Sequence, residues 1–210
     1  SYYVENMIQE FKKTTNLISN MGFRYSFFRI SYLIKTKLGW QKNKFPINPK
    51  KTVFISLDCW RNNTPPFLFY GKDIPNLKKK PTQVIHDNFK EIKNGVFTFF
   101  NKTKINLGTQ YNWMENPSTG FCYNINQHWS EIQDISKDAG DIKYVWEKAR
   151  FSFLYDIIRY HFHFENDQSE FVFNEIKDFI KNNPINQGPN YKCSQEIILR
   201  IMNWTYALYY

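Results

Sequence analysis

The stretch Asp141-Ile142-Lys143-Tyr144-Val145-Trp146-Glu147-Lys148-Ala149-Arg150 carries Lys143, Trp146, Glu147 and Arg150 at i, i+3, i+4 and i+7. Those spacings share one face of an α-helix, so a cation, an indole, a carboxylate and a guanidinium stand together. A second stretch, residues 193–206, repeats the arrangement with Glu196, Arg200, Asn203 and Trp204 among Ile197, Ile198, Leu199, Ile201 and Met202. Its flanks are too apolar for a helix solvated all round. Two polar stripes turned inward predict a wet, charged cleft between helices, a suitable berth for a polar, anionic chain.

Outward from this pair, the pattern stays helical. Asp141 is placed to cap a helix running to about residue 163, Asp167 or Ser169 opens another that ends near Asn182, and Pro184 stops it. A turn over residues 186–190 leads into the last helix. Three helices joined by short turns predict a helical array. Upstream, residues 95–108 hold two β-prone runs around a polar turn at residues 101–103, which reads as a hairpin. Two strands alone are marginal, so a small flap or rim is expected rather than a core sheet. Residues 111–120 and 127–132 form a loop rich in large aromatics, which must be packed or must bind something.

The first ninety residues are more varied. A short helix is predicted around residues 81–93. Between residues 46 and 81 prolines recur at 46, 49, 65, 66, 75 and 81, predicting an irregular connector with one short strand over residues 52–57. Residues 4–38 read as two helices broken near residues 19–22. In the second, Phe23, Phe27, Ile30 and Ile34 form an apolar stripe with Arg24, Arg29, Lys35 and Lys37 around it. Such amphipathicity is the ordinary signature of a helix packed on its own domain; a basic helix of this kind can also lie on a membrane.

Composition sets the bounds. At 210 residues, 42% hydrophobic and 19% aromatic, the chain has ample material for a core. A formal charge of +9 and a pI near 9.3 favour a polyanionic partner, although runs such as Lys78-Lys79-Lys80 read first as a solvated loop. Cys59, Cys122 and Cys193 lie far apart and odd in number, so neither a metal spacing nor a disulfide framework is present. His161 and His163 are the one close histidine pair, on the end of a predicted helix where i and i+2 diverge, with no third ligand. The residues therefore call for no metal and no cofactor. No window approaches the ~20 apolar residues that span a bilayer, and residues 1–6 lack the order of a signal peptide. The chain starts without Met and stops inside an apolar helical pattern, so it is expected to be a piece of a longer protein.

Aromatic faces stack on the apolar side of a pyranose, while Arg, Lys, Asn and Glu satisfy hydroxyls and carboxylates. The order Tyr111-Asn112-Trp113, Asn116-Pro117, Gly120, His128-Trp129-Ser130-Glu131-Ile132, Gly140-Asp141-Ile142-Lys143, Trp146-Glu147, Arg150, Asn183-Pro184, Gly188-Pro189-Asn190-Tyr191, Glu196, Arg200 and Asn203-Trp204 resembles the N-terminal domain of the heparinase II/III and alginate lyase family. The resemblance covers residues 95–210 and reaches the first ninety only loosely. Tyr191 stands where the family more often shows Trp. Family members continue with helices carrying an Asn-His pair and later a Tyr, and finish with an antiparallel β-sandwich that is absent here.

The resemblance implies a mainly α chain: a partial (α/α) toroid over residues 95–210, preceded by N-terminal helices and a connector over residues 1–94. It also implies cleavage of uronic-acid polymers by β-elimination. In that chemistry the C6 carboxylate is neutralised, a Tyr or His removes the C5 proton, and an acid protonates the departing O4. The catalytic residues are then expected beyond Tyr210. An exported protein of this family would be periplasmic or extracellular.

Each candidate residue has two readings. Lys143, Trp146, Glu147 and Arg150 either line the groove or form an ion-paired brace, with Glu147 bound to Lys143 or Arg150. His128 is read toward substrate contact and Trp129 toward a loop anchor. Asn190 and Tyr191 sit at a helix entrance where Asn serves as a cap. Glu196 and Arg200 most simply pair with each other, and Asn203 and Trp204 suit either task. Three functions remain open: a uronate polysaccharide lyase, a non-catalytic glycan-binding or remodelling domain of the same fold, and a nucleic-acid or membrane-surface binder resting on charge. No nucleic-acid motif is present, so an acidic polysaccharide is the favoured partner.

Overall fold

The computed structural model describes residues 15–16, 19–20, 22–50, 55–63 and 77–209. It divides into two units, Ser1–Pro46 and Ile47–Tyr210. Most of the predicted first helix, and residues 52–54 of the strand expected over 52–57, lie outside the described residues; residues 55–56 are not strand and Leu57 opens a helix. The protein is mainly α, with small antiparallel strand pairs.

In the N-terminal unit, α1 (Phe23–Lys37) and α2 (Trp40–Lys44) are joined by a two-residue turn. The second helix expected from the apolar stripe is therefore present. No residue of α1 is buried.

The second unit begins with α3 (Leu57–Asn62) inside the proline-rich connector, followed by α4 (Gln83–Lys93). Thr82 caps α4 through its hydroxyl, which accepts from the Ile85 N–H at 3.4 Å. Helix α4 is held within this unit, where Phe89 stacks on Tyr160 at 3.7 Å between ring centres.

The hairpin follows as β1 (Val96–Phe99) and β2 (Thr103–Asn106), antiparallel, with Phe99 opposite Thr103. Its turn places Phe100 and Asn101 at φ 52° and 55° and is closed by the Lys102 N–H donating to the Phe99 carbonyl at 3.0 Å. At the base, a Cβ on Gly95 would stand 1.9 Å from the Gly108 carbonyl oxygen, so only glycine lets the two ends approach. The hairpin is not a flap. Phe97 and Phe99 are buried in the main core, and alternation sends Thr98 outward.

Two further strand pairs, β3 (Glu115–Asn116) with β4 (Phe121–Cys122) and β5 (Ile135–Ser136) with β6 (Gly140–Asp141), fold the aromatic loop. Asn116 fixes it from inside. Its amide donates to the carbonyls of Ala139 (2.7 Å) and Asp141 (2.9 Å), and its oxygen accepts from the Ser118 N–H (2.9 Å). The aromatics that made this loop conspicuous are largely packed, with Trp113 and Tyr123 both buried.

Four helices complete the unit: α5 (Lys143–Ala149), α6 (Leu154–Phe164), α7 (Ser169–Asn182) and α8 (Ser194–Tyr209). One helix over 141–163 was expected; instead the chain breaks between α5 and α6, with Phe151 at φ 61°. In an unbroken helix Phe151 and Phe153 would point about 200° apart. The break lets both enter one cluster with Trp113, Leu154, Ile157, Val172, Ile176 and Phe179. Phe151 stacks on Trp113 (5.3 Å, 15°) and meets Trp204 edge-on (5.3 Å, 82°). A left-handed non-glycine residue costs on the order of 1–2 kcal/mol, less than full burial of a phenyl ring returns.

Replacing Phe151 with Ala should therefore lower the unfolding free energy by about 3–5 kcal/mol. Urea denaturation followed by far-UV circular dichroism reads this directly, and a loss below about 1 kcal/mol would show that the ring is not the keystone of the cluster.

Candidate functional site

The two polar stripes do meet, but largely in bonds to one another. Arg150, at the end of α5, reaches Glu196 of α8 through two bonds, Nε to Oε2 at 2.5 Å and Nη2 to Oε1 at 2.8 Å, and also pairs with Glu147. Glu196 thereby raises the Arg150 pKa above its ordinary value, against the opposing pull of partial burial. Glu147 accepts from the Phe100 N–H at 2.8 Å, tying the hairpin turn to α5. Of the alternatives for Glu147, the partner is Arg150.

Arg200 does not pair with Glu196 as its i+4 spacing suggested. Buried at 3% exposure, it donates from Nε to the Ala149 carbonyl (2.7 Å) and from Nη2 to the Asn190 carbonyl (3.0 Å). Asn203 donates to the Arg150 carbonyl (2.7 Å) and accepts from the Tyr155 hydroxyl (2.8 Å). These two residues satisfy the carbonyls that the α5–α6 break releases, a need that every helix end presents. Burial pulls the Arg200 pKa down to about 10.

Asn190 is not the cap of α8. It lies in a 3₁₀ turn, Pro189–Tyr191, fully buried, donating to Asn183 Oδ1 (2.8 Å) and the Trp113 carbonyl (3.0 Å). Tyr191 donates its hydroxyl to the Asn183 carbonyl at 3.0 Å. Trp146 is buried and donates to the Pro189 carbonyl at 2.9 Å. The Trp204 ring packs on Phe151 and Phe179.

Lys143, by contrast, is exposed, and its backbone N–H is held by Asp141 Oδ1 at 2.9 Å. His128 is 3% exposed and caps a 3₁₀ turn, Trp129–Glu131, its ring nitrogen 2.7 Å from the Ser130 hydroxyl. Trp129 is half-buried beside it. The predicted residues thus assemble chiefly as a brace linking the hairpin, the α5–α6 junction, the Pro189–Tyr191 turn and α8.

An open cleft lies beside this brace. It has a volume of about 290 Å³ between β2, the loop at Gln110–Trp113 and α5, and Phe99, Gln110, Tyr111, Asn112, Tyr144 and Lys148 are among its walls. A smaller one of about 140 Å³, lined in part by Glu91, Thr98, Asn101, Glu147 and Asp156, also reaches Lys148.

Lys148 is the residue that sequence reasoning missed. Its ammonium sits 3.9 Å from the Phe153 ring centre, 4.1 Å from Phe97, 4.2 Å from Tyr111 and 4.7 Å from Trp113, and 3.0 Å from Glu175 Oε2. Tyr111 donates its hydroxyl to the same carboxylate, and Trp113 Nε1 donates to Asp178 at 2.7 Å. Burial lowers the Lys148 pKa to about 7, with Glu175 opposing the fall. Burial first, and the Glu175 charge and hydrogen bond second, push the Tyr111 phenol well above its usual range. The available signal was positional. Tyr144, Lys148 and Phe151 stand at i, i+4 and i+7, which sets a lysine in an inward row.

Among the described residues, no group of three or more His, Cys, Asp or Glu could hold a metal ion, and no helix is long and apolar enough to cross a membrane. No protein-family model, curated protein or solved structure matches the chain.

Two outcomes follow from these charges. Arg200→Leu should strand the Ala149 and Asn190 carbonyls and destabilise the fold by roughly 1–3 kcal/mol for each buried group left unpaired, as read by thermal or urea unfolding. For Lys148, the unfolded chain holds its proton up to about 10.5 and the folded chain releases it near 7, so stability should rise as pH increases across that interval. Tyr111 acts oppositely but only above the ordinary tyrosine pKa of about 10. Calorimetric Tm should thus climb between pH 7 and 9.5, and Lys148→Met should flatten the climb; an unchanged slope in the variant would remove Lys148 as its source.

Proposed function

We propose that this chain is the N-terminal part of a polysaccharide lyase that cleaves a uronic-acid polymer by β-elimination, its helices forming a partial (α/α) toroid. The observation that carries the reading is the 290 Å³ cleft, where aromatic rings, side-chain amides and a lysine converge. A uronate ring needs these three things: an apolar face for its C–H surface, amides for its hydroxyls and a cation for its carboxylate. Phe99, Tyr111 and Tyr144 supply rings, Gln110 and Asn112 supply amides, and Lys148 supplies the cation. A bound carboxylate would favour the charged form of that lysine. The ordered motif series along residues 111–204 points to the same chemistry.

The base is not offered by the phenol in the cleft. Tyr111 donates to Glu175 and its pKa is raised, so it holds its proton where β-elimination requires a group that accepts one. A proton acceptor for this chemistry is therefore not Tyr111. This also keeps a second reading in view, a non-catalytic glycan-binding or remodelling domain of the same fold.

Incubating the full-length protein with alginate, heparan sulfate, hyaluronan and bacterial capsular uronates should raise the ultraviolet absorbance of the C4–C5 double bond with at least one of them. Tyr144→Ala should weaken binding of the corresponding oligosaccharide about tenfold, the loss expected for one stacking ring. Binding without unsaturated product would select the second reading. Neither product nor binding would sink both.

A further inference from the structure

The charge of this chain is segregated along its length. Between Glu10 and Asp58 lie ten lysines and arginines and no carboxylate, while residues 58–210 hold 18 basic and 17 acidic residues. Of the net charge of +9, +8 therefore belongs to residues 1–57, the part of the chain that contains α1 and α2. Four of the cations, Arg24, Arg29, Lys35 and Lys37, lie on α1, and Lys42 and Lys44 lie on α2.

The same segment exposes its apolar side chains. None of the 15 residues of α1 is buried. Phe23, Phe27, Ile30 and Ile34, at i, i+4, i+7 and i+11, make one stripe with 83%, 67%, 51% and 53% of their surface open. Trp40 follows, 45% exposed, with Lys35 and Lys44 ammonium groups 5.3 and 5.1 Å from its ring centre. A row of phenyl and branched aliphatic groups held open to water is costly. Cations around it and a Trp at its end match the depth profile of a membrane interface, where rings enter the acyl boundary and ammonium groups meet phosphates.

We propose that α1 and α2 form a peripheral anchor that lies flat on an anionic lipid bilayer. Charge complementarity selects the anionic surface, and the apolar stripe selects lipid over other polyanions. Nucleic acid and acidic glycans reward the cations but offer no hydrocarbon to take up Phe23, Phe27, Ile30 and Ile34. The anchor does not rest on the lyase reading, since the residues that line the cleft belong to the second unit.

The test is flotation of the whole chain with vesicles of phosphatidylcholine containing 30% phosphatidylserine, against vesicles of phosphatidylcholine alone, at about 0.15 M salt. The protein is expected to float with the anionic vesicles and to stay largely behind with the neutral ones. Arg29→Gln and Lys37→Gln should each reduce partitioning about fivefold. Phe27→Ser with Ile34→Ser should abolish it while leaving the circular dichroism and Tm unchanged, because the altered side chains are exposed. Equal partitioning to both vesicle types, or retention by the Phe27→Ser, Ile34→Ser variant, would overturn the proposal. So would the absence of flotation together with tight binding to duplex DNA that the Arg29→Gln variant weakens, which would reassign the segment to nucleic acid.

Discussion

The organisation of the second unit depends on how the carbonyls at the end of α5 are satisfied. A helix that stops inside a core leaves acceptors that water cannot reach. Here the Phe151 N–H closes on the Lys148 carbonyl at 3.1 Å, while Arg200 and Asn203 take the carbonyls of Ala149 and Arg150. With those acceptors filled, the chain can reverse its helical sense for one residue and drive two phenylalanines into the same cluster. Arg150, pulled to the junction, then binds Glu196 and Glu147, and Glu147 in turn holds the hairpin turn. Remove the capture of the carbonyls and the geometry of the hairpin, the core and the cleft loses its common reference.

This arrangement also explains the two kinds of lysine and arginine in the molecule. Arg200 and Lys148 are both buried cations, yet their surroundings differ. Arg200 finds two carbonyls and the Phe179 face at 4.3 Å, and its delocalised charge tolerates the site. Lys148 finds one carboxylate and a wall of rings, and its compact charge is less well served, so its pKa falls further from the ordinary value. That difference makes Lys148 the chemically responsive member of the pair and Arg200 the structural one.

Much of the scaffold was legible in the sequence. The hairpin at 95–108, the helix stopped by Pro184, the second N-terminal helix and the inward turn of the Glu196-Arg200-Asn203 stripe all follow from period and punctuation. The α5–α6 break did not, because neither Gly nor Pro marks it; its cause is tertiary, a pair of side chains about fifty residues downstream. The partner of Arg200 was missed for the same reason. An i, i+4 charge pair is a local expectation, and here each member found a better match across the core. Asn190 illustrates the converse error, since its type and position suit a helix cap while the space around it rewards a bond to Asn183 and Trp113. Lys148 was hidden by residue type, as a lysine is ordinarily read outward.

The left-handed residue at Phe151 bears on the order of synthesis. A ribosome delivers α5 and α6 well before α8, so Arg200 and Asn203, the side chains that hold the Ala149 and Arg150 carbonyls in the folded protein, emerge last. A straight helix through residue 151 satisfies them at once with its own amides. The kink as it stands in the folded protein therefore includes two bonds that only the docked C-terminal helix makes. A stop upstream of residue 200 removes both side chains, and with them the partners that these two carbonyls have in the folded protein.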